Sequence, residues 1–149
     1  MLTAKHTKTL MVTASQAFLI FGNPHTYFNH LTLWDVPTYL EIGVIPKKLY
    51  CNRLMVEPLS NAFSDLIKYN LVNELKTFDG CYNVRPKRTN KSFSLHSWGI
   101  AIDFNAFENQ LGKVPKMNSD VVNIFKAHGF DWGGDWSFPD GMHFQLAKI

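Results

Sequence analysis

The sequence predicts an α+β fold, a small antiparallel sheet with flanking helices, and three observations carry that expectation. An apolar stripe at three- and four-residue steps follows Pro58, short segments with a period of two come after it, and turn residues separate them. The chain has 149 residues, which suits a single domain over 1–149. Its 46% hydrophobic and 14% aromatic content, against 18% charged, is that of a packed protein rather than a disordered one.

The stretch to about Val36 is the least patterned, with turn signals at Asn23-Pro24 and Asp35-Val36-Pro37. His25 and His30 lack a carboxylate or cysteine at a matching interval and are expected in loops or at the surface. The apolar run Leu10 to Phe21, with Lys5 and Lys8 ahead of it, has some character of a secretory leader. Thr13, Ser15 and Gln16 interrupt it, however, and no small-residue cleavage site follows. No run approaches the length of a membrane span, so the expectation is a protein made in the cytoplasm without a clear signal peptide of its own.

Leu59, Ala62, Phe63, Leu66, Ile67, Val72, Leu75 and Phe78 trace one face of a helix of about five turns. Pro58 suits its start and Gly80 its end. Alternation from Cys81 to Arg85 predicts a strand, and Pro86 to Ser92 a basic, polar loop. Gly99 to Phe104 predicts a second strand. Ser119 is placed to cap a helix through Val121, Val122, Ile124 and Phe125, closed by Gly129. A turn from Trp132 to Trp136 leads through Pro139-Asp140-Gly141 into a last strand, Met142 to Ala147.

The net charge of +3 is mild and scattered, and the closest basic cluster is Arg85, Lys87, Arg88 and Lys91. That lacks the basic stripe of a nucleic-acid binder; it suits an anionic polymer or an ordinary solvated surface equally well. Cys51 and Cys81 allow at most one bridge, and free, partly buried thiols are expected.

Chemistry concentrates in two segments. Within Ser94-Leu95-His96-Ser97-Trp98-Gly99-Ile100-Ala101-Ile102-Asp103, the strand period sends Ile100 and Ile102 to one face and Gly99, Ala101 and Asp103 to the other. His96 stands at the strand's entrance. Small residues beside a carboxylate leave open space, and a buried aspartate is costly unless it is paired or metal-bound. In Asp140-Gly141-Met142-His143-Phe144-Gln145, His143 and Gln145 share a face, and Asp140 sits on a turn that can fold its side chain toward His143. Taken singly, each residue has an ordinary reading as a surface histidine or a turn aspartate. Together, two histidines and a carboxylate with water in the fourth position make the open tetrahedral site of catalytic zinc.

These segments, with Gly133-Gly134-Asp135-Trp136 between them, resemble the zinc D-alanyl-D-alanine carboxypeptidase and L-alanyl-D-glutamate endopeptidase family. That family includes VanY-like enzymes and many bacteriophage endolysins. Its pattern is Ser-x-His-x-x-Gly-x-Ala-x-Asp, then a Gly-Gly-Asp-Trp turn and an acid-x-x-His strand. The resemblance covers roughly residues 45–147 and implies a hedgehog/DD-peptidase-like domain. It makes His96, Asp103 and His143 the ligands of one zinc ion per chain and Asp140 the general base. It matches Arg85 to an arginine that holds the substrate carbonyl or its developing oxyanion, the alternative being a solvated loop charge.

Trp98, Trp132 and Trp136 flank the motifs as cleft walls or packing residues. Trp136, Trp98 and Ser94 are the candidate substrate contacts. Asp135 orients a ligand histidine or stabilises its turn. Ser94 and Ser97 are otherwise polar neighbours of the ligand, and no histidine and acid are left to serve a serine nucleophile. The implied substrate is the peptidoglycan stem peptide, cut at the bacterial cell wall by a monomer during phage lysis or wall remodelling. In that family endopeptidases commonly carry aspartate at the position of Asp140, and carboxypeptidases glutamate. The resemblance therefore tilts toward an L-alanyl-D-glutamate endopeptidase, with a D-alanyl-D-alanine carboxypeptidase as the alternative. A catalytically inactive, zinc-containing wall-binding module would be expected to lack one of these five residues, and all five are filled.

Overall fold

Thr13 opens the first helix: its hydroxyl accepts from the Gln16 N–H, and the Gln16 side-chain oxygen accepts from the Thr13 N–H. In the computed structural model, which describes residues 10–149, this helix, α1, spans Ala14–Phe21 and buries Ala17. The leader-like apolar run therefore lies largely in a capped helix, while Lys5 and Lys8 lie outside the described residues. A two-stranded antiparallel sheet follows, β1 (Leu31–Asp35) on β2 (Lys48–Asn52). Among the described residues no helix is long and apolar enough to cross a membrane.

Helix α2 spans Val56–Lys68, shorter than the apolar stripe suggested. Asn70 adopts a left-handed conformation (φ 57°) that ends the helix. Val72 and Leu75 still reach the core, but from a 3-10 turn beyond that break. Pro58 sits in the first turn of α2, where its missing N–H is not needed. Gly80 does not close the helix; it lies in β3 (Phe78–Gly80). The segment Cys81 to Arg85 is not the strand its alternation predicted. Its backbone bonds instead to the turn that carries His96, Asn83 N–H to the His96 carbonyl at 3.0 Å and Arg85 N–H to Ser97 Oγ at 3.1 Å.

The remaining elements are β4 (Ala101–Phe104), α3 (Ser119–Ala127), β5 (Phe130–Trp132) and β6 (His143–Leu146). Asn118 rather than Ser119 caps α3, accepting from the Asp120 and Val121 N–H groups. Four strands form the second antiparallel sheet in the order β3-β4-β6-β5. With three α-helices among the described residues, this is the α+β class.

The period of two divides this sheet by chemistry. Ile102, Phe104, Phe144 and Leu146 belong to the buried core with Phe63 of α2 and Phe125 of α3. The Phe125 and Phe144 rings stack with centroids 4.3 Å apart. Each such phenylalanine contributes about 1.5–3 kcal/mol by leaving water. Asp103, His143 and Gln145 occupy the alternate positions, away from the helices. A bond of 2.6 Å between His128 Nε2 and Asp65 Oδ2 ties the end of α3 to α2.

Candidate metal centre and cleft

Each small or polar residue of the first motif has a local task. Ser94 caps a one-turn 3-10 helix, Leu95–Trp98, by accepting from the His96 N–H at 3.3 Å. Ser97 Oγ donates to the Arg85 carbonyl at 3.0 Å, pinning the preceding segment to this turn. Gly99 then takes a left-handed conformation (φ 67°); a Cβ there would meet Asn52 N at 2.7 Å, so only glycine lets β2 come this close. This turn delivers His96 at the start of β4, 2% exposed.

Strand register supplies the rest. Asp103 of β4 pairs directly with His143 of β6, and Ala101 pairs with Gln145. The single methyl of Ala101 leaves its cross-strand partner's side chain room beside His143. Asp103 Oδ1 lies 3.1 Å from His96 Nε2 and 3.3 Å from His143 Nδ1. One ligand atom from each of these residues falls within 4.8 Å of the others, and all three residues are buried.

The other nitrogen of each ring bears on what this cluster could hold. His96 Nδ1 is 2.6 Å from the Cys81 carbonyl oxygen, which can only accept, so Nδ1 carries the proton. His143 Nε2 is 2.9 Å from Gln145 Oε1 and donates to it. Each neutral ring therefore turns a lone pair toward the Asp103 carboxylate. Three acceptors facing one point require a cation, and two imidazole nitrogens with one carboxylate oxygen match catalytic zinc. In the metal-free protein a proton fills that need. Burial works to lower the His143 pKa, but its hydrogen bond and the charges of Asp103 and Asp140 outweigh this and raise it. Burial works to raise Asp103, yet the hydrogen bonds from His143 and His96 hold it well below the usual carboxylate range.

Asp140 stands beside the cluster, its Oδ2 3.9 Å from His143 Nδ1. The glycine turn holds it there. The Gly133 carbonyl accepts the Asp140 N–H at 2.9 Å, and a Cβ on Gly133 would meet the Asp140 carbonyl oxygen at 2.4 Å. A Cβ on Gly134 would run into the Trp132 ring, whose Nε1 donates to the Gly141 carbonyl at 2.9 Å. The paired glycines thus clasp the loop bearing Asp140 against β5. Burial raises the Asp140 pKa and Asp103 adds to this, while His143, His96 and Arg88 pull the other way.

Residues 87–146 match the profile of a protein family described as D-alanyl-D-alanine carboxypeptidase. Over that segment the chain is similar to the family. The chain is also similar to the peptidoglycan L-alanyl-D-glutamate endopeptidase CwlK of Bacillus subtilis, 37% identical over 67 residues. That likeness covers 36% of this chain and 39% of the relative, so the chain spans well under half the length of the curated relative it matches.

The segment shared with the family contains His96, Asp103, Asp140 and His143 and leaves Arg85 just outside. Asp103, Asp140 and His143 line a cavity of about 390 Å³, and Arg85, Arg88, Ser94 and Trp136 line it too. The Trp136 ring lies 5.3 Å from that of His143. Trp98 does not reach the cavity. It is fully buried and donates from Nε1 to the Gly22 carbonyl at 2.8 Å, which makes it a packing residue that fastens the end of α1 to the His96 turn. Asp135 touches neither His96 nor His143: its carboxylate pairs with Lys126 at 2.6 Å. The groups that do contact the two rings are the Cys81 carbonyl and Gln145, neither of which belongs to the motifs, although Gln145 shares a strand face with His143. Cys51 and Cys81 are both free and buried. Burial pushes Cys51 up to about 12 and Cys81 well above its ordinary value, so Cys81 serves the site through its carbonyl and not its sulfur. His25 is exposed, and His30 is half-buried against Phe21.

Proposed function

We propose that this chain is a zinc-dependent peptidoglycan peptidase that cuts the stem peptide at the L-alanyl-D-glutamate bond. The observation that carries this reading is the convergence of three metal-accepting atoms, on His96, Asp103 and His143, with a half-buried carboxylate beside them at the floor of a cavity. Zinc bound there would polarise the scissile carbonyl and acidify the attacking water. The protein's own groups do the rest. The Cys81 carbonyl and Gln145 fix each ring so that Nε2 of His96 and Nδ1 of His143 face the ion. Asp140 takes the water proton on its carboxylate and passes it to the leaving nitrogen; burial moves its pKa upward, toward the range a general base and acid needs. Arg85 offers fixed donors to the carbonyl oxygen as negative charge develops. Trp136 forms a wall of the substrate cleft. The protein acts as a monomer, on a hedgehog/DD-peptidase-like scaffold, at the bacterial wall in phage lysis or wall remodelling.

A second reading, a D-alanyl-D-alanine carboxypeptidase, is favoured by the description of the matching family profile. A defined muropeptide incubated with the zinc-loaded protein separates the two by product mass. A new amino terminus on glutamate supports the endopeptidase. Loss of one terminal alanine supports the carboxypeptidase, and an intact muropeptide overturns both.

A further inference from the structure

The wall of the cavity above Asp140 is basic beyond what the metal chemistry uses. Arg85, Lys87 and Arg88 all line it, and among the described residues none of the three forms an ion pair with an acidic side chain. Among the described residues the Arg85 guanidinium makes a single long hydrogen bond, Nη1 to the Pro86 carbonyl at 3.5 Å. Among the described residues the only acids lining the cavity are Asp103 and Asp140, and a divalent cation at the centre would offset both. Three cations facing a cavity without counter-charge call for an anionic ligand.

The loop is braced by its own backbone: the Lys87 N–H donates to the Ser92 carbonyl at 2.8 Å, and Pro86 bridges to Phe93. Arg88 is also close enough to act on the Asp140 charge. If Asp140 delivers the proton to the leaving nitrogen, the substrate residue released lies on the side of Asp140, in the cavity that Arg88 also lines.

The chemistry of the two candidate bonds meets at this point. A glutamate whose nitrogen is in the scissile bond keeps one carboxylate free, whichever of its two continues the chain. A terminal alanine keeps its only one. Both leaving residues thus carry an anion a few bonds from the departing nitrogen. Resting on the peptidase reading above, we infer that Lys87 and Arg88 form a carboxylate-holding subsite for the leaving residue and select substrates in which that carboxylate is free over those in which it is an amide. Arg85 remains with the carbonyl, and the two basic groups divide the substrate between them.

The test uses the zinc-loaded protein with L-alanyl-γ-D-glutamyl-L-lysine and the same tripeptide bearing an α-amide, alongside D-alanyl-D-alanine peptides with a free or amidated end. Binding of the product γ-D-glutamyl-L-lysine and its α-amide is measured by calorimetry as a separate readout. The acid is expected to be preferred at least about tenfold in both readouts, the scale of a charge-assisted hydrogen bond. Arg88→Gln with Lys87→Gln should lower kcat/KM for the acid about 30-fold, mainly through KM, and barely change the amide. Lys91→Gln, in the same loop but outside this cavity, should leave the preference intact. Equal cleavage of acid and amide by the native protein overturns the subsite and leaves the peptidase reading standing. So does an equal loss on both substrates in the double variant. Preferential binding of the acid product with no cleavage keeps the subsite and overturns the peptidase reading.

Discussion

His143 Nε2 lies 2.9 Å from Gln145 Oε1, two residues along the same face of β6. The bond leaves Nδ1 of His143 as the lone pair facing Asp103, so Gln145 decides which nitrogen the cluster receives. Gln145→Leu should weaken zinc binding about 10- to 100-fold, the usual scale for losing the partner of a ligating histidine. Competition against a chelator of known affinity reads this directly, and an unchanged zinc affinity would mean the ring is oriented by packing alone.

How much of this was legible in the sequence depended on the range of the interactions. The cluster of His96, Asp103 and His143, with Asp140 beside it, was legible because in each of two short segments a period of two or a turn sets the polar residues on one side. Sequence left Trp98 between cleft wall and packing residue because the partner that decides for packing, the Gly22 carbonyl, lies 76 positions away in a segment with no pattern of its own. Asp135 stood between orienting a histidine and stabilising its turn because it belongs to the glycine motif; its carboxylate goes to Lys126, and the close approaches in that motif are made at Gly133 and Gly134. The length of α2 was overestimated since apolar periodicity reports burial, and Val72 and Leu75 stay buried after Asn70 turns the chain. The strand expected from Cys81 to Arg85 failed for a related reason: its hydrogen bonds go to the His96 turn rather than to a neighbouring strand.

The glycine clasp gives a second prediction. Gly133→Ala places a Cβ against the Asp140 carbonyl and next to the His143 Cβ, contacts of 2.4 and 3.2 Å that backbone cannot relieve without moving the loop. Activity should fall at least about tenfold through displaced Asp140, since small misplacements of a reacting group are costly. The β4–β6 pairing should survive, so zinc content should stay near that of the native protein. Full activity in Gly133→Ala would remove the clasp from the account.

Asp140→Asn separates base from ligand. It should retain the fold and one zinc per chain yet lose about 100-fold or more in kcat, the range for removing a general acid or base. Retained turnover with retained zinc would reduce Asp140 to a turn residue.

Protons and metal compete for the same three atoms, and the sign of that competition follows from the shifts. A histidine raised in the folded state, as His143 is, contributes stability fully present below its unfolded pKa of about 6.5 and lost as pH rises through the folded value. Asp103, held low, contributes stability present above about 3.9 and lost as pH falls through its folded value. The metal-free protein should therefore gain most from this cluster in mildly acid solution and lose it as pH rises past the His143 value. Zinc needs the histidines deprotonated, so its stabilisation should grow across the same range. Melting temperatures taken with chelator and with excess zinc, between about pH 5 and 8, should diverge as pH rises; a gap independent of pH would contradict a site built on these histidines.

The central claim, that one zinc at His96, Asp103 and His143 makes this chain a wall peptidase, is tested most directly by titrating zinc into the metal-free protein while following cleavage of a defined muropeptide. The account predicts no cleavage at the start, a linear rise in rate, and a break at one zinc per chain. His96→Ala and His143→Ala should stay inactive throughout the titration. Cleavage by the metal-free protein, or a tightly bound first zinc that brings no cleavage at any added concentration, would contradict it.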